Sequence, residues 1–189
     1  MRISIIILIL FSSNLFGQNK VHPYNRTQTE FDKLTEKAKK TDSIIIASDK
    51  MEYREKYITT GISEGSIELT DSLKVEIASG GFSTYTYTND RTNKIIKAEH
   101  NQTVHYKYDV KDSLNANTER LEISIYYENE KAYYAEFNEN HYDNENVIST
   151  NRFYLQLNAK RDEIYYSNGF QEKIVKYIIK LSEEIKSEK

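Results

Sequence analysis

Between Ser66 and Leu157 the apolar side chains recur at every second position, and this period of two restricts the chain to folds built around a half-buried sheet. Ile67, Leu69, Leu73, Val75 and Ile77 all fall on odd positions, so this stretch is one long strand or a hairpin turning at Thr70-Asp71-Ser72. Gly80-Gly81 then punctuates the run. Tyr85 and Tyr87 alternate with Thr84, Thr86 and Thr88, the pattern of a further strand. A turn follows at 89–93, and the chain returns over 94–100.

Two more hairpins are registered by their apolar matches. Ile96 and Ala98 oppose Tyr108 and Tyr106 if Asn101-Gln102-Thr103 is a three-residue loop. Ile123, Ile125 and Tyr127 oppose Phe137, Ala135 and Tyr133 around Asn129-Glu130-Lys131. A slip of one residue would move either set to the wrong face. Segments 111–118 and 138–146 read as polar loops, and Phe153, Leu155 and Leu157 as another alternating run that Ile164-Tyr165-Tyr166 pairs with. The spacing of these strand pairs is irregular, which excludes a solenoid or propeller repeat.

The period changes to that of a helix at both ends. Thr27 and Glu30 fit a capping box, Phe31, Leu34 and Ala38 follow at helical spacing, and Lys37, Lys39 and Lys40 suit the helix's C-terminal end. Residues 42–60 read as a second helix, broken by Gly61 and Gly65. At the other end Asn168 is placed to cap a helix, with Gln171 three residues on. Phe170, Ile174, Tyr177, Ile178, Leu181 and Ile185 form its apolar stripe. Each large side chain of such a stripe contributes about 1.5–3 kcal/mol when buried, and the sheet supplies the surface. The fold expected is therefore α+β: an antiparallel meander of about six to eight strands, with N-terminal helices and a C-terminal amphipathic helix packed on one face. It occupies a single domain over 27–189, with helices at about 27–58, sheet at about 66–166 and helix at about 169–187.

Residues 1–17 have the order of a secretory signal: Arg2, an apolar run from Ile3 to Phe11, then small and polar residues to Gly17. The run is too short to span a bilayer, which takes about 20 residues. Cleavage is expected after Gly17, leaving a flexible lead over 18–26, no membrane span, and a periplasmic or secreted protein. The chain has no cysteine, so a lipid anchor at the cleavage site and disulfides are both excluded, although export would allow disulfides. The mature chain must rest on its core alone. Net charge is −3, and removing Arg2 makes it −4, which gives no footprint for nucleic acid. The 16 tyrosines suit half-buried strands, and with the abundant Ile, Lys and Asn they follow the codon bias of an AT-rich genome.

Three patterns carry possible chemistry. Gly61-Ile62-Ser63-Glu64-Gly65 matches G-x-S-x-G and makes Ser63 the candidate nucleophile, but an elbow needs a strand before the serine and a helix after it. The order here is the reverse, which favours a glycine-flanked linker. His100 and His105 are the candidate metal pair, with Glu99 and Asp109 nearby. A two-residue loop at Gln102-Thr103 places them on one face, whereas the three-residue loop places them on opposite faces, and a site needs three or four ligands. The run 138–146 is dense in oxygen ligands suited to calcium, yet it lacks EF-hand spacing and reads as a solvated turn. No phosphate loop, dinucleotide fingerprint or zinc motif is present, and no cofactor is expected.

The leading functional reading is an exported, non-enzymatic module that binds a protein or cell-envelope component, with Tyr85 and Tyr87 as the candidate binding residues on an exposed strand. The alternative is a small exported hydrolase or metal-dependent enzyme. A structural or inhibitor-like domain is a third possibility that sequence does not separate from the first.

Overall fold

The computed structural model describes residues 28–70, 72, 76–107, 117–157 and 172–187. The signal and lead, the Thr27 and Asn168 caps, Phe170, Leu73, Val75, Tyr108, Asp109 and the strand expected at 164–166 lie outside the described residues. The elements are α1 (Gln28–Asp49), β1 (Ile58–Thr70), β2 (Glu76–Asn89), β3 (Lys94–Tyr106), β4 (Thr118–Glu128), β5 (Lys131–Asp143), β6 (Asn146–Gln156) and α2 (Glu172–Ser187). The strands lie side by side in chain order, each antiparallel to the next, and form one six-stranded meander. This is the α+β architecture that the alternating pattern implies.

Neighbouring residues of a strand point to opposite faces, and here each face has its own helix. Ala98, Ile123, Ile125, Phe137, Phe153 and Leu155 pack on Ile174, Val175, Ile178, Leu181 and Ile185 of α2. The tyrosines that alternate with them, Tyr126 and Tyr134, pack with Ala38 of α1. The expectation of helices on one face is thereby corrected. Both faces of β4 and β5 carry large side chains, so two helices are needed to cover them.

The second helix expected over 42–60 is also replaced. Residues 42–49 continue α1, with Ile45 buried and Ile44 and Ile46 exposed, as a helix that faces the sheet on one stripe requires. The chain turns at 50–57 and enters β1 at Ile58. Ser48 fixes that entry: its Oγ is buried and accepts the backbone N–H groups of Tyr57 and Ile58, each at 3.2 Å. Gly61 and Gly65 lie inside β1, and Phe82 stands opposite Gly65 with its ring where a Cβ would go. An aromatic ring across from an edge glycine supplies the packing the glycine lacks.

Of the two options left open after Ser66, a hairpin is formed, but Thr70 is still in β1 and pairs with Glu76, so the turn expected at Thr70-Asp71-Ser72 is displaced; Ile67 pairs with Gly80 and Leu69 with Ala78. Gly80 and Gly81 lie within β2. A Cβ at Gly80 would collide with the Thr103 carbonyl of β3, so glycine serves close approach of two backbones. The hairpin expected around 101–103 does not exist. Asn101, Gln102 and Thr103 run straight through β3 because Ser83, Phe82 and Gly81 pair with them on one side and Glu122, Leu121 and Arg120 on the other. Pairing on both sides overrides their turn propensity. A bulge opposite Tyr87 and Thr88 also puts Ile95, rather than Ile96, into the core.

The β4–β5 hairpin keeps the expected matches of Ile123 with Phe137 and Ile125 with Ala135. Its loop is two residues, not three: Glu128 pairs with Lys131, and Asn129 and Glu130 both have positive φ, 50° and 64°. Two left-handed residues make a type I′ turn, whose twist matches that of the strands. A bulge at Tyr126/Tyr127 then pairs Tyr127 with Ala132 and frees Tyr133 to pack with Tyr126 and Tyr134. Segment 138–146 is likewise no loop. It completes β5, turns at Asn144 and Glu145, and opens β6.

Glycine suits the second position of a type I′ turn, where Glu130 carries the left-handed penalty of roughly 1–2 kcal/mol. Glu130→Gly is expected to stabilise the protein by about 0.5–1 kcal/mol, after the larger unfolded-state entropy that glycine brings offsets part of the gain. Urea denaturation of the two proteins checks it.

Candidate functional site

A meander that does not close leaves two outer strands, β1 and β6, and among the described residues no strand pairs with the outer side of either. β1 runs for 13 residues without a lysine, arginine or proline, the residues that usually protect an edge. β6 is shorter, at 11 residues, and contains Arg152. The face of β1 that continues the α1 side of the sheet carries Ile62, Glu64, Ser66 and Glu68, all exposed, and Ile62 is 61% exposed. Among the described residues neither glutamate forms an ion pair. On the other face Gly61 meets nothing closer than the Thr86 carbonyl at 3.9 Å, so a partner backbone has room to approach there.

The candidate binding tyrosines lie one strand in. β2 is held between β1 and β3, which corrects the reading of Thr84 to Thr88 as an edge that recruits a peptide by its backbone. Tyr85 is half-buried and stands directly between Ile62 of β1 and Glu99 of β3. Tyr87 donates its hydroxyl to Glu99 Oε2 at 2.9 Å. Burial, followed by the hydrogen bond and charge of Glu99, pushes the Tyr87 phenol well above its ordinary range.

Glu99 belongs to a network that sequence reading missed. Lys97 is buried and its Nζ lies 2.6 Å from Asp42 Oδ1 of α1 and 2.6 Å from Glu99 Oε1. Tyr126 donates to Asp42 Oδ2 at 3.0 Å, and its ring centroid lies 5.1 Å from Lys97 Nζ. Burial pulls the Lys97 ammonium down, but its hydrogen bonds to Asp42 and Glu99 and their charges outweigh burial and hold it above its ordinary value. One lysine among alternating residues carries no sign of burial, and Asp42 is 55 residues away in sequence.

On the opposite face Ser63, Thr84 and His100 form a lateral row across β1, β2 and β3. Ser63 is central in β1 with strand on both sides, so the strand–serine–helix elbow is absent. Two strand spacings, about 10 Å, separate it from His100. The histidine's partners are Thr84 Oγ1 at 2.9 Å from Nδ1 and the Tyr177 hydroxyl of α2 at 3.2 Å from Nε2, with Phe82 stacked on the ring at 5.7 Å. His105 is five residues on in the same strand and therefore on the other face, exposed, with Nδ1 3.1 Å from Thr118 Oγ1. Neither loop considered for this pair exists. Among the described residues no three His, Asp or Glu side chains converge to hold a metal ion. The oxygens of 138–146 are divided between two faces by the strand, so they do not encircle a cation as a loop would. His141 of that run lies 3.6 Å from the buried carboxylate of Glu139. No described helix is long and apolar enough to cross a membrane.

Compared with known proteins, the chain gives no match to a family model, to a curated protein or to a solved structure.

Burial lowers the His100 imidazole to about 4, with the Gln102 side chain opposing the shift. The folded protein then favours neutral His100, and its stability is complete above the unfolded value of about 6.5 and falls as pH drops from there toward 4. Between pH 7 and pH 4.5 the wild type is expected to lose roughly 2 kcal/mol more unfolding free energy than His100→Gln. Equal losses by urea denaturation at the two pH values would contradict the buried neutral imidazole.

Proposed function

We propose that this chain is an exported, non-enzymatic binding module whose partner, a protein or protein-bearing envelope component, adds an extended segment to the outer edge of β1. The observation that carries this reading is the 13-residue edge strand with no basic residue or proline, an exposed Ile62 and an open, side-chain-free position at Gly61. An edge offers a row of backbone donors and acceptors that a second strand satisfies, and alternate side chains then set specificity. Ile62 and Tyr85 stand side by side and offer a joint surface for an apolar or aromatic side chain of the partner. Tyr87, on the same face of β2, has its hydroxyl committed to Glu99. The address outside the cytoplasm rests on residues 1–17.

The reading is tested by affinity capture from envelope extracts with the mature protein and with Ile62→Lys, which sets a charge at the centre of the edge, a known way to block strand addition. A partner retained by the wild type and reduced at least tenfold by the variant, at unchanged melting temperature, is the expected result. Equal recovery by both proteins would move the interaction away from β1.

A further inference from the structure

The exposed face of β1 specifies more than an extended partner. Ile62, Glu64 and Glu68 point the same way. Glu64 and Glu68 are four residues apart, hence about 13–14 Å along the strand. Among the described residues no cation pairs with either. Cross-strand neighbours of opposite charge attract and like charges repel. Resting on the edge-recruitment reading, we propose that the occupant of β1 is a polypeptide strand of another protein, running antiparallel, with a lysine or arginine opposite Glu68, a second one four residues later opposite Glu64, and an apolar side chain two residues after that, opposite Ile62.

The same charges disfavour a second copy of this chain. Antiparallel pairing of two β1 strands over their full length sets Glu64 against Glu64, and the register centred on Ser66 sets Glu64 against Glu68 twice. The charge pattern selects a basic partner and discourages self-association through the same edge. An edge whose two glutamates have no ion-pair partner among the described residues thus combines recruitment with protection against stacking.

The test uses a nine-residue Thr/Val-rich peptide with lysines at its second and sixth positions and isoleucine at its eighth. One control replaces both lysines by glutamates, and another keeps the composition but sets the lysines side by side. Binding to the mature protein and to the Glu64→Lys/Glu68→Lys variant is read by fluorescence anisotropy, with circular dichroism confirming that the variant folds. The wild type is expected to bind the spaced lysine peptide about tenfold more tightly than the glutamate peptide, and the variant to reverse that preference. Equal affinity for the spaced and adjacent lysine peptides overturns the inference, because the attraction is then unspecific charge. Equal binding of the lysine and glutamate peptides overturns the charge pattern and leaves edge recruitment standing. Binding of none of them overturns the inference as well, and recruitment itself fails separately if Ile62→Lys captures envelope partners as the wild type does. Dimerisation of the wild type that glutamate-to-lysine exchange strengthens or weakens would assign the edge to a second copy instead.

Discussion

Lys97 crosses from the sheet to α1 and meets Asp42 at 2.6 Å, held from the other side by Glu99. The contact holds α1 to the sheet together with Leu34 and Ala38, which pack on Tyr126, Tyr133 and Tyr134, and Lys37, which pairs with Glu128 and lies over the Tyr133 ring. Among its described side chains from Asp32 onward only Ala38, Ile45 and Ser48 are buried. A buried ion pair adds little net stability over apolar packing, since desolvation offsets most of the attraction. What it adds is a link between layers: the Lys97 ammonium sits between Asp42 of α1 and Glu99 of β3. With α1 fixed, Ser48 meets the N–H groups of Tyr57 and Ile58 and sets where β1 begins. Thr59 then bonds Asp90 in the β2–β3 turn at 2.7 Å, which ties the first strand to the far end of its neighbour's hairpin. The entry of β1 is thus tied to α1, while its course is set by the ladder it forms with β2.

The two faces of the sheet are held by different physics. α2 is fastened by an apolar stripe whose members Ile174 and Ile178 are almost fully buried. Within this apolar layer His100, Thr84 and Tyr177 satisfy one another's polar atoms and link β2, β3 and α2. The α1 face is instead built from tyrosine rings and charges, with Tyr126, Tyr134 and Tyr154 packed in sequence at 5.7 and 6.4 Å between ring centroids. The absence of cysteine leaves no covalent restraint on either layer.

The sequence shows the meander and the final helix because both are written in local periods. Ile123, Ile125, Phe137, Phe153 and Leu155 alternate, and Ile174, Ile178, Leu181 and Ile185 repeat at helical spacing. What it hides is set by neighbours distant in the chain. Asn101-Gln102-Thr103 has the composition of a turn and becomes mid-strand because β2 and β4 pair with it on both sides. Gly61 and Gly65 look like breakers, yet one lies open at an edge and the other lies under Phe82. This misreading concealed the candidate site, since it assigned the first half of β1 to a helix and linker and moved the supposed edge to Tyr85 and Tyr87. The better local signal was Ile58-Thr59-Thr60 followed by alternation through Ile62, with no lysine, arginine or proline before Thr70.

Strand addition at β1 requires its outer side to be open to a partner strand. In an antiparallel edge strand alternate N–H groups bond inward to β2 and the others face outward. Residue-resolved amide hydrogen exchange of the protein measures this directly. A two-residue alternation is expected between Thr59 and Glu68, with the inward amides protected and the outward ones exchanging near the rate of unstructured peptide. Uniform protection along that stretch would mean that the edge is already covered and would contradict its role as the binding edge.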